Sequence, residues 1–326
     1  MLRAALLGFG SMGRNHARIL ANLEGVEFVG VVDPRIDTSQ SDSPVPWLRS
    51  VEEIIDLSVD YCVVATPTST HEELATILMS SGIHVLIEKP ISHDSISASR
   101  MTKCASQNGV IAAIGHIERY NAAIRQLRKR VLDGELGEVF QIVTRRQGPF
   151  PMRIVDVGVV MDLATHDIDT TRWITRSEYS TVGAFSSMRS GQEHEDLIAI
   201  TAQLRDMTVV NHIVNWLSPL KERKTVVTGE KGSFVVDTLT TELTFYSNGI
   251  HRISQPHLAH FKGVSQGDIH IFAFDKPEPL LVEHENFRNA IMGLDSEIVP
   301  LDDATRTLAV AESVVASAST KESVSL

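Results

Sequence analysis

A carboxylate and an imidazole stand one helical turn apart in the stretch Asp162–Asp169, which reads DLATHDID. Because residues three and four apart share a helix face, Asp162, His166 and Asp169 are predicted to lie on one side of a helix. A carboxylate beside an imidazole can fix its tautomer and hold it ready to accept a proton. A carboxylate at a helix N-terminus and a buried core histidine are the alternatives. No Cys or Glu stands at ligand spacing, so we expect no metal.

A lysine that follows a short apolar run is the second candidate for chemistry, in Glu88-Lys89-Pro90. Partial burial at a strand end can bring an ammonium into a useful range for proton transfer. The same ammonium can instead donate a hydrogen bond to a substrate hydroxyl. A solvated loop lysine is the alternative that the motif alone leaves open.

The stretch Gly8-x-Gly10-x-x-Gly13 lies between an apolar run and a helical pattern. Glycine there allows a sharp turn, close approach of the backbone to a pyrophosphate, and tight packing of helix on strand. The helix N-terminus offers N–H groups and partial positive charge to phosphates. Asp33 ends the next apolar run, 20 residues after Gly13, where a carboxylate can bind an adenosine ribose. The pattern predicts a dinucleotide site, and a purely structural turn is the alternative.

The first third of the chain alternates continuous apolar runs with amphipathic helical patterns, which is typical of a parallel sheet covered on both faces. Ligands of such sheets bind beyond the carboxyl ends of the strands. Asp33, the turn Thr66-Pro67-Thr68, Lys89 and His116 each follow a predicted strand. We therefore expect these residues to line one crevice.

The pattern changes past Gly115, where a helix is followed by several β-branched runs and short turns, with further helices near Met161–Trp173 and towards the C-terminus. This indicates an α+β domain on an open, mainly antiparallel sheet, with helices on one face. The other face is available to a second subunit, which predicts a homodimer or homotetramer. The sequence thus predicts two domains: a doubly wound, Rossmann-type α/β domain over residues 1–117 and an α+β domain for substrate binding and oligomerisation over residues 118–326.

Composition narrows the possible partners. The 326 residues carry a net charge of −11, which argues against nucleic acid and anionic membranes as partners. The N-terminal apolar run is too brief for a signal peptide, and no segment reaches the roughly 20 apolar residues of a membrane span. The two cysteines lie in apolar or helical runs and form no disulfide framework. We expect a cytoplasmic protein.

Taken together, the glycine turn, Ala65-Thr66-Pro67-Thr68 with His71, Glu88-Lys89-Pro90 and the Asp162–Asp169 helix resemble the Gfo/Idh/MocA family of NAD(P)-dependent dehydrogenases, in order and spacing. The resemblance implies an enzyme with a catalytic set of Lys89, Asp162 and His166. It also implies these contacts to the cofactor: Gly8, Phe9, Gly10, Ser11, Met12, Gly13, Asp33, Arg35, Thr66, Thr68, His71, Glu88 and Lys89.

Two longer stretches narrow the resemblance to a subgroup. Many family members carry a glycine triplet before the Asp-x-x-x-His helix, whereas this chain has Gly158-Val159-Val160. The stretches Gly115–Asn121, Gly148–Val160 and Gly263–Asp268 resemble the UDP-N-acetylglucosamine 3-dehydrogenases. Between residues 119 and 153, eight basic residues stand against three acidic ones, which suits a diphosphate. The substrate contacts predicted on this basis are His116, Arg119, Asn121, Arg145 and Arg153.

The mechanism that the resemblance implies is hydride transfer from the sugar C3 to nicotinamide, with a nucleotide sugar as substrate. His166, oriented by Asp162, removes the hydroxyl proton, and Lys89 donates a hydrogen bond to the same oxygen, although these two roles could be exchanged. Asp33 favours NAD by repelling a 2′-phosphate, whereas Arg35 could accept that phosphate and permit NADP. The alternatives are oxidation of inositol or another free polyol, and a non-catalytic regulator that binds the cofactor.

Overall fold

The computed structural model describes residues 1–34, 46–150, 157–191, 193–249 and 265–326. The predicted cofactor contact Arg35 and the predicted substrate contact Arg153 lie outside the described residues. The chain forms two compact units, each built from two segments. The first unit comprises Met1–Tyr120 and Pro277–Ala309, and the second comprises Asn121–Lys276 and Val310–Leu326.

Helices and helical turns of the described residues occur in both units. The α-helices are α1 (Ser11–Leu20), α2 (Val51–Asp56), α3 (His71–Ser80), α4 (Ser95–Asn108), α5 (Ala122–Leu132), α6 (Thr165–Thr175), α7 (Pro279–Ile291) and α8 (Leu301–Thr320). Short 3₁₀ turns span Thr68–Thr70 and Ile117–Tyr120, and a π-helical turn spans Val160–Ala164. Within the described residues, none of the helices has both the length and the apolar composition needed to cross a bilayer.

The first unit contains a six-stranded sheet with the order β3-β2-β1-β4-β5-β6. All its pairings are parallel. This is the strand order of a doubly wound dinucleotide-binding sheet, as predicted. The strands are β1 (Leu2–Leu7), β2 (Val26–Val32), β3 (Trp47–Leu48), β4 (Tyr61–Val64), β5 (His84–Ile87) and β6 (Ala112–Ile114).

Residues 277–309 belong to the first unit, whereas the predicted boundary at 117/118 assigned them to the second domain. The cause is packing of α7 on this sheet and its helices. Phe287 is buried and its ring meets Tyr61 edge to face at 5.5 Å. The N–H of Ile114 also donates to the carbonyl of Val299 at 3.0 Å. The first unit therefore draws part of its core from late in the chain.

The described strands of the second unit form a nine-stranded sheet with the order β14-β13-β12-β11-β7-β10-β9-β8-β15. Among its described strands β7 and β10 pair in parallel, and the other pairings are antiparallel. The prediction of a mainly antiparallel sheet is confirmed. The strands are β7 (Val139–Pro149), β8 (Tyr179–Ser187), β9 (Leu197–Leu204), β10 (Val209–Asn215), β11 (Leu217–Gly229), β12 (Gly232–Asp237), β13 (Glu242–Gly249), β14 (Ser265–Ile271) and β15 (Val324–Ser325).

Alternation along β7 separates the two faces of this sheet. Ile142, Thr144 and Arg146 are buried on the inner face, while Arg145 points to the outer face and is exposed. Apolar side chains of the π-helical turn and α6, such as Leu163, pack on the inner face. They form one hydrophobic core cluster with side chains of the strands. The inner face therefore carries the segment with Asp162 and His166.

Candidate active site

The three glycines of the first turn have different surroundings. Gly8 has a φ of +90°, and a Cβ there would lie 2.4 Å from the carbonyl oxygen of Ala65. A Cβ at Gly13 would lie 2.0 Å from the carbonyl oxygen of Gly8. At Gly10, by contrast, a Cβ would meet no described atom within 4 Å. Two glycines are thus required by the fold, and the third leaves an open approach to the backbone.

Helix α1 starts directly after Gly10, as the sequence predicts. Among the described side chains none caps this helix end, and its first turn, with Ser11 and Met12, holds no acidic residue. Its N-terminal N–H groups and partial positive charge can therefore serve a phosphate. Together with the open Gly10, this turn fits the pyrophosphate of a dinucleotide.

Asp33 is hydrogen-bonded to the glycine turn. Its Oδ2 accepts from the backbone N–H of Phe9 at 2.8 Å, and the adjacent carbonyl of Val32 accepts from the N–H of Gly8 at 2.8 Å. The carboxylate is buried. Asp33 therefore lies at the end of β2 beside the turn, where a ribose contact requires it.

A cavity of about 410 Å³ opens beside Asp33 at the carboxyl ends of the parallel strands. Its size falls within the range of small-molecule sites, and a nucleoside fits such a volume. Its walls come from the ends of β1, β2 and β4 and from the start of α2. The lining includes Leu7, Gly8, Val32, Asp33, Arg49, Ser50, Thr66 and Thr70.

His71 connects the loops that follow β4 and β5. Its Nδ1 lies 3.0 Å from the carbonyl oxygen of Pro90, and its Nε2 lies 3.0 Å from that of Thr66. Burial lowers the pKa of His71, against the two carbonyl contacts that favour the charged ring. A neutral ring donates to one of these carbonyls at a time. Since both nitrogens face backbone, His71 orients the loop of Thr66 and Thr68.

Glu88 and Lys89 follow β5, as predicted. The Oε2 of Glu88 accepts from the backbone N–H of Lys89 at 3.1 Å, and its Oε1 lies 2.9 Å from the Nε2 of His16. Burial acts to raise the pKa of Glu88, but the hydrogen bond from His16 and the nearby Lys89 bring this pKa below its usual value. Each oxygen of the buried Glu88 carboxylate therefore has a hydrogen-bonding partner within the protein.

The predicted substrate-binding residues near position 120 form hydrogen bonds and an ion pair within the protein. His116 is buried, and its carbonyl accepts from the N–H of Arg119 at 3.0 Å. The guanidinium of Arg119 forms an ion pair with Asp303. In the second unit, Asn121 caps α5 by accepting from the N–H of Ala123 at 3.0 Å. Their contact with a substrate stays a prediction.

The segment with Asp162 and His166 is helical, as predicted, but it begins with a π-helical turn. Such turns are frequent at functional sites. Glu195 caps this end, since its Oε1 accepts from the N–H of Val160 at 3.0 Å. A Cβ at Gly158 would lie 2.1 Å from that oxygen, so Gly158 leaves room for the cap. Asp162 and His166 are both buried.

A buried ion pair fixes α6 to the sheet. The Nε of Arg146 lies 3.1 Å from both carboxylate oxygens of Asp167, the residue after His166. Neither Arg146 nor Asp167 is among the site residues predicted from the sequence. The alternation of β7 was the available signal, because it directs only one of two adjacent arginines towards the helix.

Arg145 is the other arginine of that pair, and its predicted contact with a substrate stays a prediction. Its side chain points to the outer face of the sheet, opposite the face that carries α6, because side chains alternate along β7. There it lies 3.5 Å from Glu222.

Comparison with known proteins decides the family. Residues 2–116 match the family described as "Oxidoreductase family, NAD-binding Rossmann fold", and residues 124–235 match the "GFO/IDH/MocA C-terminal domain". The chain belongs to the GFO/IDH/MocA family. It is accordingly an NAD(P)-dependent oxidoreductase whose first domain binds NAD. The glycine turn, Asp33 and the adjoining cavity fit that cofactor.

Individual relatives within the GFO/IDH/MocA family act on different substrates. The chain is 28% identical to the UDP-N-acetylglucosamine 3-dehydrogenase of Acidithiobacillus ferrooxidans, covering 89% of this chain and 88% of that protein. It is 29% identical to inositol 2-dehydrogenase 4 of Saccharopolyspora erythraea, covering 66% and 67%. A solved structure of the Acidithiobacillus enzyme, GnnA, superposes with a TM-score of 0.85 at 27% identity and covers 98% of both chains.

Proposed function

We propose that this protein oxidises the C3 hydroxyl of a UDP-N-acetylhexosamine such as UDP-N-acetylglucosamine, with transfer of hydride to NAD. The observation that carries the proposal is the extent of similarity. The UDP-N-acetylglucosamine 3-dehydrogenase aligns over 89% of the chain, whereas inositol 2-dehydrogenase 4 aligns over 66%. The basic composition of residues 119–153 supports an anionic substrate.

The proposal gives each catalytic residue one task. His166 accepts the proton of the C3 hydroxyl, and Asp162 sets the tautomer of its ring. Lys89 donates a hydrogen bond to the substrate oxygen and stabilises its developing negative charge. NAD supplies the hydride acceptor, while the protein supplies position and charge.

The contacts to substrate and cofactor in the proposal are those that the family resemblance implies. The glycine turn serves the pyrophosphate and Asp33 the ribose, which favours NAD over NADP. Glu88 and His71 act through the positions of the loops that carry Lys89 and Thr66. The substrate contacts in the proposal are His116, Arg119, Asn121, Arg145 and Arg153.

A panel of substrates tests the proposal. The protein is mixed with NAD and, separately, with UDP-N-acetylglucosamine, N-acetylglucosamine and myo-inositol, and formation of NADH is followed by absorbance. Turnover only with the nucleotide sugar is expected. Turnover with myo-inositol alone would establish the polyol alternative, which the 27–30% identity to several inositol dehydrogenases favours. No turnover with any of the three compounds would exclude all of them as substrates and overturn the proposal.

Two substitutions test the catalytic residues. His166→Ala and Lys89→Met should each lower kcat by about 10²- to 10⁴-fold, because each removes a group that acts on the proton or charge in the transition state. In His166→Ala the Kd for NAD should stay close to that of the wild type. His270→Ala is the control, since His270 is an exposed histidine of the second unit. Equal loss of NAD affinity and turnover would count against catalytic roles.

We also propose a cytoplasmic homodimer or homotetramer. Both cysteines, Cys62 and Cys104, are free thiols, in keeping with a reducing compartment. On the outer face of the second sheet, Phe185, Ala199, Ile213 and Arg145 pair in one row across β8, β9, β10 and β7. The exposed apolar members of this row suit contact with a second copy.

A further inference from the structure

A series of buried titratable side chains in the first unit is linked by close contacts that end at the backbone N–H of Lys89. Glu88 contacts His16 of α1 through Oε1 and Nε2 at 2.9 Å. The Nδ1 of His16 then lies 2.8 Å from the Nε2 of His284 on α7. The two rings meet edge to face at 5.1 Å. Glu88 is among the cofactor contacts that the family resemblance implies, whereas the two histidines are not among the predicted site residues.

We propose that His16 and His284 are positioning residues that hold the Glu88 carboxylate in place, so that it anchors the backbone N–H of Lys89. The inference rests on the proposed catalytic role of Lys89 and deepens it. Neither histidine needs to contact substrate or cofactor for this role. The path runs from His284 to His16, to Glu88 and then to the backbone of Lys89.

The two oxygens of Glu88 are used separately. Oε2 accepts from the backbone N–H of Lys89 at 3.1 Å, and Oε1 is the one that contacts His16. An ionised carboxylate only accepts hydrogen bonds, so the Nε2 of His16 must carry the hydrogen of that contact. His16 thus fixes the orientation of Glu88, and this orientation presents Oε2 to Lys89.

Glu88 is the ionised member of this cluster, because the neutral forms of its neighbours Glu283 and His284 are favoured. Burial, with the nearby charge of Glu88, raises the pKa of Glu283 well above its usual value, which favours the neutral form of that carboxyl. Burial, with the nearby His16, lowers the pKa of His284 well below its usual value, so His284 is neutral as well. Among the described residues the Glu283 carboxyl has no hydrogen-bond partner. Glu283 is therefore a neighbour of the chain and not a link in it.

Loss of the donor at residue 16 would leave Oε1 of Glu88 buried without its charge-assisted hydrogen bond, which is one of the stronger kinds of hydrogen bond in proteins. The side chain would then take up a proton or rotate towards another donor, and either change weakens its hold on Lys89. Small displacements of a catalytic group are costly, since an error of about 1 Å can lower a rate by roughly 10²-fold. The effect should therefore appear in kcat.

Three variants test the chain of contacts. His16→Leu should lower kcat with UDP-N-acetylglucosamine by about 10- to 100-fold, while KM and the Kd for NAD change little. His16→Gln keeps an N–H donor at similar reach and should recover most of kcat. Glu283→Gln, which mimics the neutral carboxyl in the same buried cluster, is the matched control and should behave as the wild type.

A second measurement is independent of turnover. Exchange of the Lys89 backbone amide, followed by NMR, should accelerate on the order of 10-fold in His16→Leu, because its hydrogen bond to Glu88 is weakened. It should be unchanged in Glu283→Gln. If His16→Leu does not fold, as judged by circular dichroism, the same comparison is made with His284→Leu, which removes the next link.

The outcomes separate this inference from the proposed function. Wild-type kcat and amide exchange in His16→Leu, alongside an inactive Lys89→Met, would overturn the positioning role and leave the catalytic lysine standing. Equally low kcat in the leucine and glutamine variants at residue 16 would also overturn it, because the donor would then be irrelevant. An active Lys89→Met would instead overturn the proposed function, while the exchange measurement would still decide the contact.

Discussion

The backbone N–H of Phe9 donates a hydrogen bond of 2.8 Å to the Oδ2 of Asp33. The carboxylate that is proposed to select the ribose thus also holds the turn that is proposed to bind the pyrophosphate. A substitution at Asp33 therefore has two effects, one on the charge near the ribose and one on the shape of the turn. These effects can be separated, because an amide keeps the acceptor and loses the charge.

Asp33→Asn should retain the stability of the wild type within about 1 kcal/mol, since its Oδ1 can still accept from Phe9. Its preference for NAD over NADP should narrow, because no negative charge remains to repel a 2′-phosphate. Asp33→Ala should cost about 1–3 kcal/mol, since it leaves the buried N–H of Phe9 without its acceptor. The measurements are urea unfolding and the Kd values for both cofactors. Equal unfolding energies for the two variants would show that the Phe9 contact contributes nothing.

The glycine turn gives a second prediction. Gly10→Ala should fold with wild-type stability, because its Cβ meets no described atom within 4 Å, but it should bind NAD at least 10-fold more weakly, since the methyl group blocks the approach of the pyrophosphate. Gly13→Ala should instead destabilise the fold by about 1–3 kcal/mol, because its Cβ would lie 2.0 Å from the Gly8 carbonyl. Thermal unfolding and NAD titration are compared. A stable Gly13→Ala that binds NAD normally would contradict the assignment of roles.

The features that sequence predicted correctly are local ones. The strand, turn and helix around Gly8–Gly13 and the position of Asp33 after β2 follow from short-range patterns. Continuous apolar runs separated by amphipathic helical patterns also predict the parallel sheet, because strands buried on both faces are apolar throughout. These signals need no knowledge of distant parts of the chain.

The features that sequence did not predict depend on long-range contacts. His16 and His284 lie 268 positions apart, and no periodic pattern links them. The assignment of residues 277–309 to the first unit rests on packing such as that between Tyr61 and Phe287. The contact of Arg146 with Asp167 differs, since the alternation of β7 was a signal for it. Charge counting alone does not distinguish the two faces of a strand.

The outer face of the second sheet gives a third prediction. Phe185 is 71% exposed and lies in one row with Ile213, so Phe185→Asp combined with Ile213→Asp should dissociate the proposed oligomer. Light scattering coupled to size exclusion should show a smaller species. Ile96→Asp is the control, because Ile96 is 69% exposed on α4 of the first unit. Dissociation by the control alone, or by neither, would exclude this face as the interface.

His212 provides a prediction for stability against pH. It is fully buried, with Nδ1 at 2.7 Å from the Thr144 hydroxyl and Nε2 at 2.8 Å from the Tyr179 hydroxyl. Burial, with a smaller contribution from Arg146, lowers its pKa to about 3. Above the pKa of an unfolded histidine, about 6.5, the ring is neutral in both states, and its contacts stabilise the fold fully. Below about pH 6.5 the His212 ring is protonated in the unfolded chain but stays neutral in the folded state. The free energy of unfolding therefore falls as the pH drops from about 6.5 towards 3.

His212→Gln removes this dependence. The variant should be less stable than the wild type at about pH 7.5, because the contacts to Thr144 and Tyr179 are impaired. The difference in free energy of unfolding between the wild type and the variant should shrink by about 1.4 kcal/mol per pH unit below about 6.5. At pH 5 it should be about 2 kcal/mol smaller than at about pH 7.5, because only the wild type has a histidine here whose protonation favours unfolding. Urea unfolding at several pH values measures it, with the exposed His270→Gln as the control. A difference that stays constant across this range would contradict a lowered pKa for the buried His212 ring.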